Sequence, residues 1–86
     1  MKIATIIKRY HPLENQWWVR VSPPIDGNTN IVVSVGNPGF NETYLFGATE
    51  KGEIRDFMDL PGSQRGFRDH GRALREAGYT VVEGKE

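Results

Sequence analysis

The clearest structural pattern of this chain lies in residues 42–82, ETYLFGATEKGEIRDFMDLPGSQRGFRDHGRALREAGYTVV. It predicts a strand, a tight turn, a second strand, a glycine-rich loop, a helix and a closing strand. Glu50-Lys51-Gly52 fits a three-residue hairpin turn with glycine in the left-handed position. Residues 54–58 have partly helical spacing, but the hairpin turn before them favours a short strand, which is our assignment.

The helix in this stretch has a clear end and two alternative starts. Gly78 stands where a left-handed residue ends a helix, and Leu74 would then contact Tyr79 in the hydrophobic contact that accompanies such caps. The start is capped by either Ser63 or Asp69, both good N-cap residues. The sequence leaves both starts open.

Three more strands are predicted before this stretch, in residues 2–10, 17–22 and 31–35, from β-branched composition and period-two alternation. Pro23-Pro24 is expected to end the second of these strands. The chain is therefore expected to form a single α+β domain over residues 1–86. Its mostly antiparallel sheet would have four to six strands, one helix in the C-terminal half packed on a face, and a short closing strand.

The composition narrows the function classes. The chain has 86 residues, 11 basic and 11 acidic side chains and no cysteine, which excludes disulfides, thiolate chemistry and the usual zinc clusters. The zero net charge argues mildly against a dedicated nucleic-acid binder. The apolar run near the start is too short for a signal peptide or a membrane span, so we expect a cytoplasmic protein without a membrane partner.

No motif indicates catalysis. Residues 62–66 resemble the nucleophile elbow of hydrolases, but the serine is displaced by one position. Asp69 precedes His70, and neighbouring side chains on a helix diverge too far for one to orient the other. An acidic stretch matches no EF-hand spacing: Glu50, Glu53, Asp56 and Asp59. We therefore predict a non-enzyme with no catalytic residue, no metal site and no cofactor.

Four arginines are candidate partner-binding residues. If the helix begins at Ser63, one face carries Arg65, Arg68, Arg72 and Arg75, with about two charges left unpaired. Such a face could bind a phosphate backbone or an acidic protein, or it could simply be a solvated helix back. If the helix begins at Asp69, only Arg72 and Arg75 stay aligned.

Trp17-Trp18 places one indole on each face of the second strand. One of them is expected in the core, and the other must be covered by the helix, a neighbouring loop or a partner. We name Trp18 as a candidate partner anchor, together with Arg20 on the same side of the strand.

Part of the chain resembles a known group of proteins. The likeness lies in residues 42–46, 60–63, 69–70 and 73–79, within the segment Glu42 to Val82. These residues resemble small uncharacterised proteins encoded by bacteriophages of actinobacteria. Gly47 and Phe57 depart from that pattern, where proline and tryptophan would be expected. The resemblance implies a phage or prophage origin, hence the host cytoplasm, and no particular reaction.

The leading functional hypothesis is a small non-enzymatic binding module. In that hypothesis the protein is a phage accessory protein that acts on a host protein or a host defence complex. The alternative is nucleic-acid binding through the four arginines, with Lys8, Arg9 or Arg20 contributing. Exposed strand edges would also permit a homodimer.

Overall fold

The computed structural model describes residues 1–10, 16–35 and 41–84. These residues form seven strands and one helix. The elements are β1 (Ile3–Arg9), β2 (Gln16–Ile25), β3 (Asn28–Val35), β4 (Glu42–Ala48), β5 (Ile54–Asp59), β6 (Gln64–Arg65), α1 (His70–Glu76) and β7 (Thr80–Glu83).

All strands belong to one sheet, in the order β5-β4-β3-β2-β1-β7, and β6 also pairs with β4. Every pairing is antiparallel except that of β1 with β7. The helix packs against β7 and β3 on one face of the sheet. The broad α+β prediction is confirmed. The one strand that the sequence analysis does not include is β6, two residues long, in a stretch assigned to loop or helix.

The core lies between the sheet and α1 because the strands alternate their side chains. Val19 and Val21 of β2 face α1 and are fully buried beside Ile31 and Val33 of β3. Leu74 closes this core from the helix and is itself fully buried. The same cluster also contains Ala4, Ile6, Ile25, Leu45 and Tyr79.

The helix begins after Asp69, so the longer alternative starting at Ser63 is wrong. The Asp69 carboxylate accepts a hydrogen bond from the Arg72 N–H at 3.0 Å. Ser63 instead closes a turn: its hydroxyl donates to the Leu60 carbonyl at 2.9 Å and accepts from the Leu45 N–H at 3.0 Å. The serine oxygen thus bonds to β4 and to the turn that follows β5, so it does not cap the helix.

The predicted end of the helix is confirmed. Gly78 has a φ of +95°. The Gly78 N–H donates to the Arg75 carbonyl at 2.9 Å, and the Tyr79 N–H donates to the Leu74 carbonyl at 3.0 Å. This pair of bonds is the Schellman motif. It turns the chain directly from α1 into β7.

The predicted β4–β5 hairpin is also confirmed. Gly52 has a φ of +81°, and its N–H donates to the Thr49 carbonyl at 3.0 Å. The Thr49 N–H in turn donates to the Glu53 carbonyl at 2.8 Å. Residues 54–59 then form the strand that we had assigned to positions 54–58.

The expectation that Pro23-Pro24 ends the second strand was wrong, because β2 continues to Ile25. The Ser22–Pro23 bond is cis, and the register between β2 and β3 shifts between Arg20 and Ile25. On the other side, pairing with β1 ends at Ser22. The prolines therefore lie where neither neighbour needs their missing N–H.

Two predicted connections, residues 11–15 and the turn at 36–39, lie outside the described residues. Among the described residues, no helix is long and apolar enough to cross a membrane.

Candidate functional site

The sheet face that points away from α1, here called the helix-free face, carries a row of apolar side chains. Trp18 pairs with Val32, and Val32 pairs with Phe46, so the three lie side by side across β2, β3 and β4. Val32 in the middle is 1% exposed. Trp18 and Phe46 remain partly exposed on either side of it.

The row continues into an apolar cluster at the β5 edge of the sheet, which we call the β5 patch: Tyr44, Phe46, Phe57 and Met58. The Tyr44 and Phe46 rings stack with centroids 5.9 Å apart, and the Phe57 ring meets Phe46 edge-on at 5.6 Å. Phe57 and Met58 are each 75% exposed. Two adjacent large apolar side chains are therefore held at the surface.

A bulge explains why these side chains project. Phe46 pairs with Asp59 and Ala48 pairs with Ile54, so the single residue Gly47 of β4 faces residues 55–58 of β5. The extra residues lift out of the ladder. The Asp56 carboxylate accepts the Met58 N–H at 3.0 Å, which satisfies a backbone donor that the ladder leaves unpaired.

Two open cavities border the patch. One, of about 460 Å³, lies beside Phe57 and includes Tyr10, Gly52 and Glu53 in its lining. The other, of about 300 Å³, lies beside Met58 and contains a more polar set: Asp26, Asn28, Arg55, Asp56 and Asp59. Phe57 and Met58 therefore each border one of two open grooves.

Carboxylates outnumber arginines around these side chains: Glu42, Glu53, Asp56 and Asp59 against Arg55 and Arg65. The Arg55 guanidinium donates to the Asn28 side-chain oxygen at 2.8 Å and so is held to β3. The Tyr44 hydroxyl donates to Glu42 at 2.6 Å, and this hydrogen bond is the main reason why the pKa of Tyr44 is raised. Burial, and then the Glu53 carboxylate, raise the pKa of Tyr10.

The structure places Trp18 on the helix-free face but covers it with the β4–β5 turn. A Cβ added at Gly52 would overlap both the Trp18 ring and the Tyr10 hydroxyl. The Trp18 indole N–H donates to the Asn30 side-chain oxygen at 3.0 Å, and Arg20 donates to the same oxygen at 3.2 Å. The sequence left three possible covers for this indole, namely the helix, a neighbouring loop or a partner. The structure shows a neighbouring loop against it.

The four arginines are divided among three elements, so the single helix face expected from a Ser63 start does not form. Arg65 lies in β6 opposite Glu42, and Arg68 lies in the segment before α1. Arg72 and Arg75 are the two on α1. The shorter helix is the reason for this separation.

The two helical arginines also have neighbours within the chain. The Arg72 guanidinium lies 4.2 Å from the centroid of the Phe67 ring, and its Nε is 3.9 Å from the Glu76 carboxylate. The Arg75 guanidinium folds back over Gly71, where it would lie 2.8 Å from an added Cβ.

Other polar residues that attract attention in the sequence have structural roles. The His70 ring stacks on Trp17, with centroids 4.3 Å apart and planes 4° from parallel. The buried Thr43 hydroxyl donates to the Phe67 carbonyl at 2.8 Å and accepts from the Asp69 N–H at 3.1 Å. Within residues 1–10, 16–35 and 41–84, no group of three or more His, Asp or Glu side chains is arranged to hold a metal ion.

Sequence reasoning missed Phe57 and Met58 as surface residues. The available signal was two large apolar residues between Asp56 and Asp59, in a stretch whose acidic side chains were expected to be solvated. A buried edge strand would not carry charge on both sides of its apolar pair.

Comparisons with protein-family models, with curated proteins and with solved structures gave no match to this chain. The candidate site therefore rests on the geometry described above.

Proposed function

We propose that this protein is a small non-enzymatic binding module, and that the β5 patch is the surface that contacts its protein partner. The observation that carries the proposal is the 75% exposure of both Phe57 and Met58. Isolated exposed apolar residues are ordinary, whereas an ordered cluster of them is typical of an interaction site.

The geometry suits a contact anchor. The Phe57 ring is already positioned by its edge contact with Phe46, so binding would cost less side-chain entropy than at a free side chain. Complete burial of an exposed Phe or Met side chain contributes roughly 1.5–3 kcal/mol each. Two such anchors supply part of the binding free energy, and a complementary rim must supply the rest.

The surrounding charges indicate the chemistry of the partner. Glu53 and Asp56 each line one of the two grooves, and Asp59 lies across from Phe46. Carboxylates repel a phosphate backbone and favour lysine or arginine on the other side. The partner is thus a protein with an apolar cleft and a basic rim. Following the likeness to actinobacteriophage proteins, we assign it to the host, as a host protein or part of a host defence complex.

The nucleic-acid alternative loses its main geometric argument. Arg65 and Arg68 lie off the helix, so the four arginines do not form one helix face. Trp18, the other candidate for stacking on a base, packs against the Gly52 backbone and is only partly exposed.

The proposal can be tested by capture from an actinobacterial host lysate with three forms of the tagged protein. These are the natural chain, the double variant Phe57→Ser/Met58→Ser, and the control Val82→Ser at an apolar position exposed elsewhere on the sheet. We expect the natural chain and the control to retain the same host protein. The double variant should bind it at least roughly 150-fold more weakly, the loss expected when each anchor contributes the lower value of about 1.5 kcal/mol.

Two results would overturn the proposal. One is equal retention of the same proteins by the double variant. The other is a salt-dependent shift of DNA or RNA that survives in the double variant and is lost in Arg65→Ala/Arg68→Ala, since that result would establish the alternative. The urea midpoint of the double variant serves as the folding control, because both side chains lie outside the core.

A further inference from the structure

The edge of the sheet opposite the β5 patch is formed by β7. No described strand pairs with its outer side. The Thr80 N–H donates to the Lys2 carbonyl at 2.8 Å, and the Gly84 N–H donates to the Ile6 carbonyl at 2.7 Å. Because groups along a strand alternate in direction, the N–H and C=O of Val81 and Glu83 point away from β1. This edge therefore offers two donors and two acceptors.

The outer side of β7 lacks most of the features that protect sheet edges. Its register with β1 is continuous from Thr80 to Glu83, without a bulge. The strand contains neither proline nor lysine, and its one charged side chain is drawn back toward β1 by Arg9, whose Nη1 donates to Glu83 at 2.8 Å. Only its short length limits pairing.

We propose that a second copy of this chain adds to this edge, with β7 pairing antiparallel to β7 of the other copy. The groups that point outward decide the register. Val81 would exchange both backbone hydrogen bonds with Glu83 of the partner subunit, and Glu83 would do the same with Val81 of the partner subunit. The twofold axis then passes between Val82 and the partner's Val82, which face each other as a non-hydrogen-bonded pair.

The side chains fit this register. Val82, which is 39% exposed, is covered by the partner's Val82. Gly84 lies across from the partner's Thr80 and brings no side chain into the contact. Each Glu83 carboxylate arrives already paired with an Arg9 guanidinium, so the two copies do not bring unpaired like charges together.

The rest of the fold leaves room for the second copy. The helix packs over the sheet face against β7 and β3, and Thr80, Val82 and Glu83 of β7 remain exposed. The contact involves the four residues of β7 in each copy, whereas a standard interface has roughly 20–30 residues on each side, so the dimer is weak. The dimer is therefore a concentration-dependent equilibrium. It also leaves the β5 patch free, because that patch lies at the other end of the sheet.

Cysteine cross-linking tests the register directly, since the chain contains no cysteine of its own. In the proposed dimer, Val82→Cys places two thiols across the twofold axis at a separation that a disulfide can span. Thr80→Cys, two residues away on the same face, is the matched control, because position 80 faces position 84. With oxidised glutathione as the oxidant, we expect Val82→Cys to form a covalent dimer at least roughly tenfold faster than Thr80→Cys.

Sedimentation from micromolar to millimolar concentration provides the second test. The natural chain should dimerise with rising concentration, and Val82→Lys and Val82→Glu should each stay monomeric, since each places like charges directly opposite one another. Mixing these two variants should restore a dimer. A natural chain that stays monomeric throughout would overturn the inference. So would a dimer that survives Val82→Lys, or equal cross-linking at positions 80 and 82. The Phe57→Ser/Met58→Ser variant should dimerise normally, which separates this test from that of the proposed function.

Discussion

The two edges of this sheet expose different parts of the chain. At β5 a bulge lifts Phe57 and Met58 out of the ladder, and the Asp56 side chain caps a backbone donor. At β7 the register is regular, and the outward backbone groups of Val81 and Glu83 have no described partner strand. One edge therefore presents side chains, and the other presents backbone.

This difference has a functional consequence. Side chains in a fixed arrangement can select one partner by shape and charge, whereas an open backbone edge pairs with any strand of suitable length. This contrast is why we propose the specific contact at β5 and self-association at β7. Single substitutions can disturb one edge and leave the other intact.

The largest effect is expected from Gly52→Ala, which should destabilise the β4–β5 turn at the β5 edge of the sheet. The residue would need a left-handed φ, and its Cβ would overlap the Trp18 ring. We expect the free energy of unfolding in urea to fall by about 3 kcal/mol, combining the cost of that φ with overpacking.

Gly27→Ala is the matched control for this substitution. Gly27 has nearly the same φ, +82°, but nothing lies within 4 Å of an added Cβ. It should lose only about 1–2 kcal/mol, the backbone part of the cost. Equal losses in the two variants would show that the Trp18 contact does not hold the β4–β5 turn in place.

A smaller effect is expected from Tyr79→Phe, which removes a side-chain hydrogen bond from the residue that precedes β7. The buried Tyr79 hydroxyl donates to the Pro23 carbonyl at 2.5 Å. Its removal should lower the free energy of unfolding by about 1 kcal/mol. Tyr44→Phe should cost less, because Tyr44 lies on the β5 side of the sheet and is only half-buried.

The Tyr79 variant also predicts a pH dependence. Burial raises the pKa of Tyr79 above its ordinary value of 10.0, so folding favours the protonated phenol. This contribution is complete below the ordinary value and is lost as pH rises through the folded value. The difference in urea midpoint between the natural chain and Tyr79→Phe should therefore shrink at high pH, and a difference that grew there would contradict the account.

The smallest effect is expected from Glu83→Gln. The hydrogen bond from Arg9 lowers the pKa of Glu83 below its ordinary value of 4.5. The contribution of the pair is present above that value and is lost as pH falls through the folded value. Because the pair is exposed, added salt should remove most of its effect on the urea midpoint at neutral pH. Dimerisation should be nearly unchanged, since the β7 edge pairs through its backbone, and loss of the dimer would contradict that reading.

Much of the fold could be predicted because its signals are local. The Gly52 turn and the Gly78 cap each follow from a left-handed glycine at a fixed position, and both are confirmed. The helix start could not be chosen because Ser63 and Asp69 are equally good caps, and the choice depends on a distant bond from the Leu45 N–H to Ser63. The continuation of β2 through Pro23 could not be predicted for a similar reason, because it depends on how β2 pairs with both β1 and β3.

The candidate site was less predictable. Trp18 was expected to need a cover, but only the register places Gly52 against its ring. The exposure of Phe57 and Met58 depends on a bulge opposite Gly47, which no local pattern indicates. The arginine hypothesis required a helix that begins at Ser63. Because the helix begins after Asp69, the four arginines do not share one helix face.

Residue-resolved amide hydrogen exchange at dilute and millimolar concentration tests the contrast between the two edges most directly. At dilution the Val81 and Glu83 amides should exchange at nearly unprotected rates, while those of Thr80 and Gly84, which donate to β1, should be protected. At millimolar concentration Val81 and Glu83 should gain protection, and Met58 in the β5 patch should not change. Protection of Val81 and Glu83 already at dilution, or a concentration effect confined to Met58, would contradict the account.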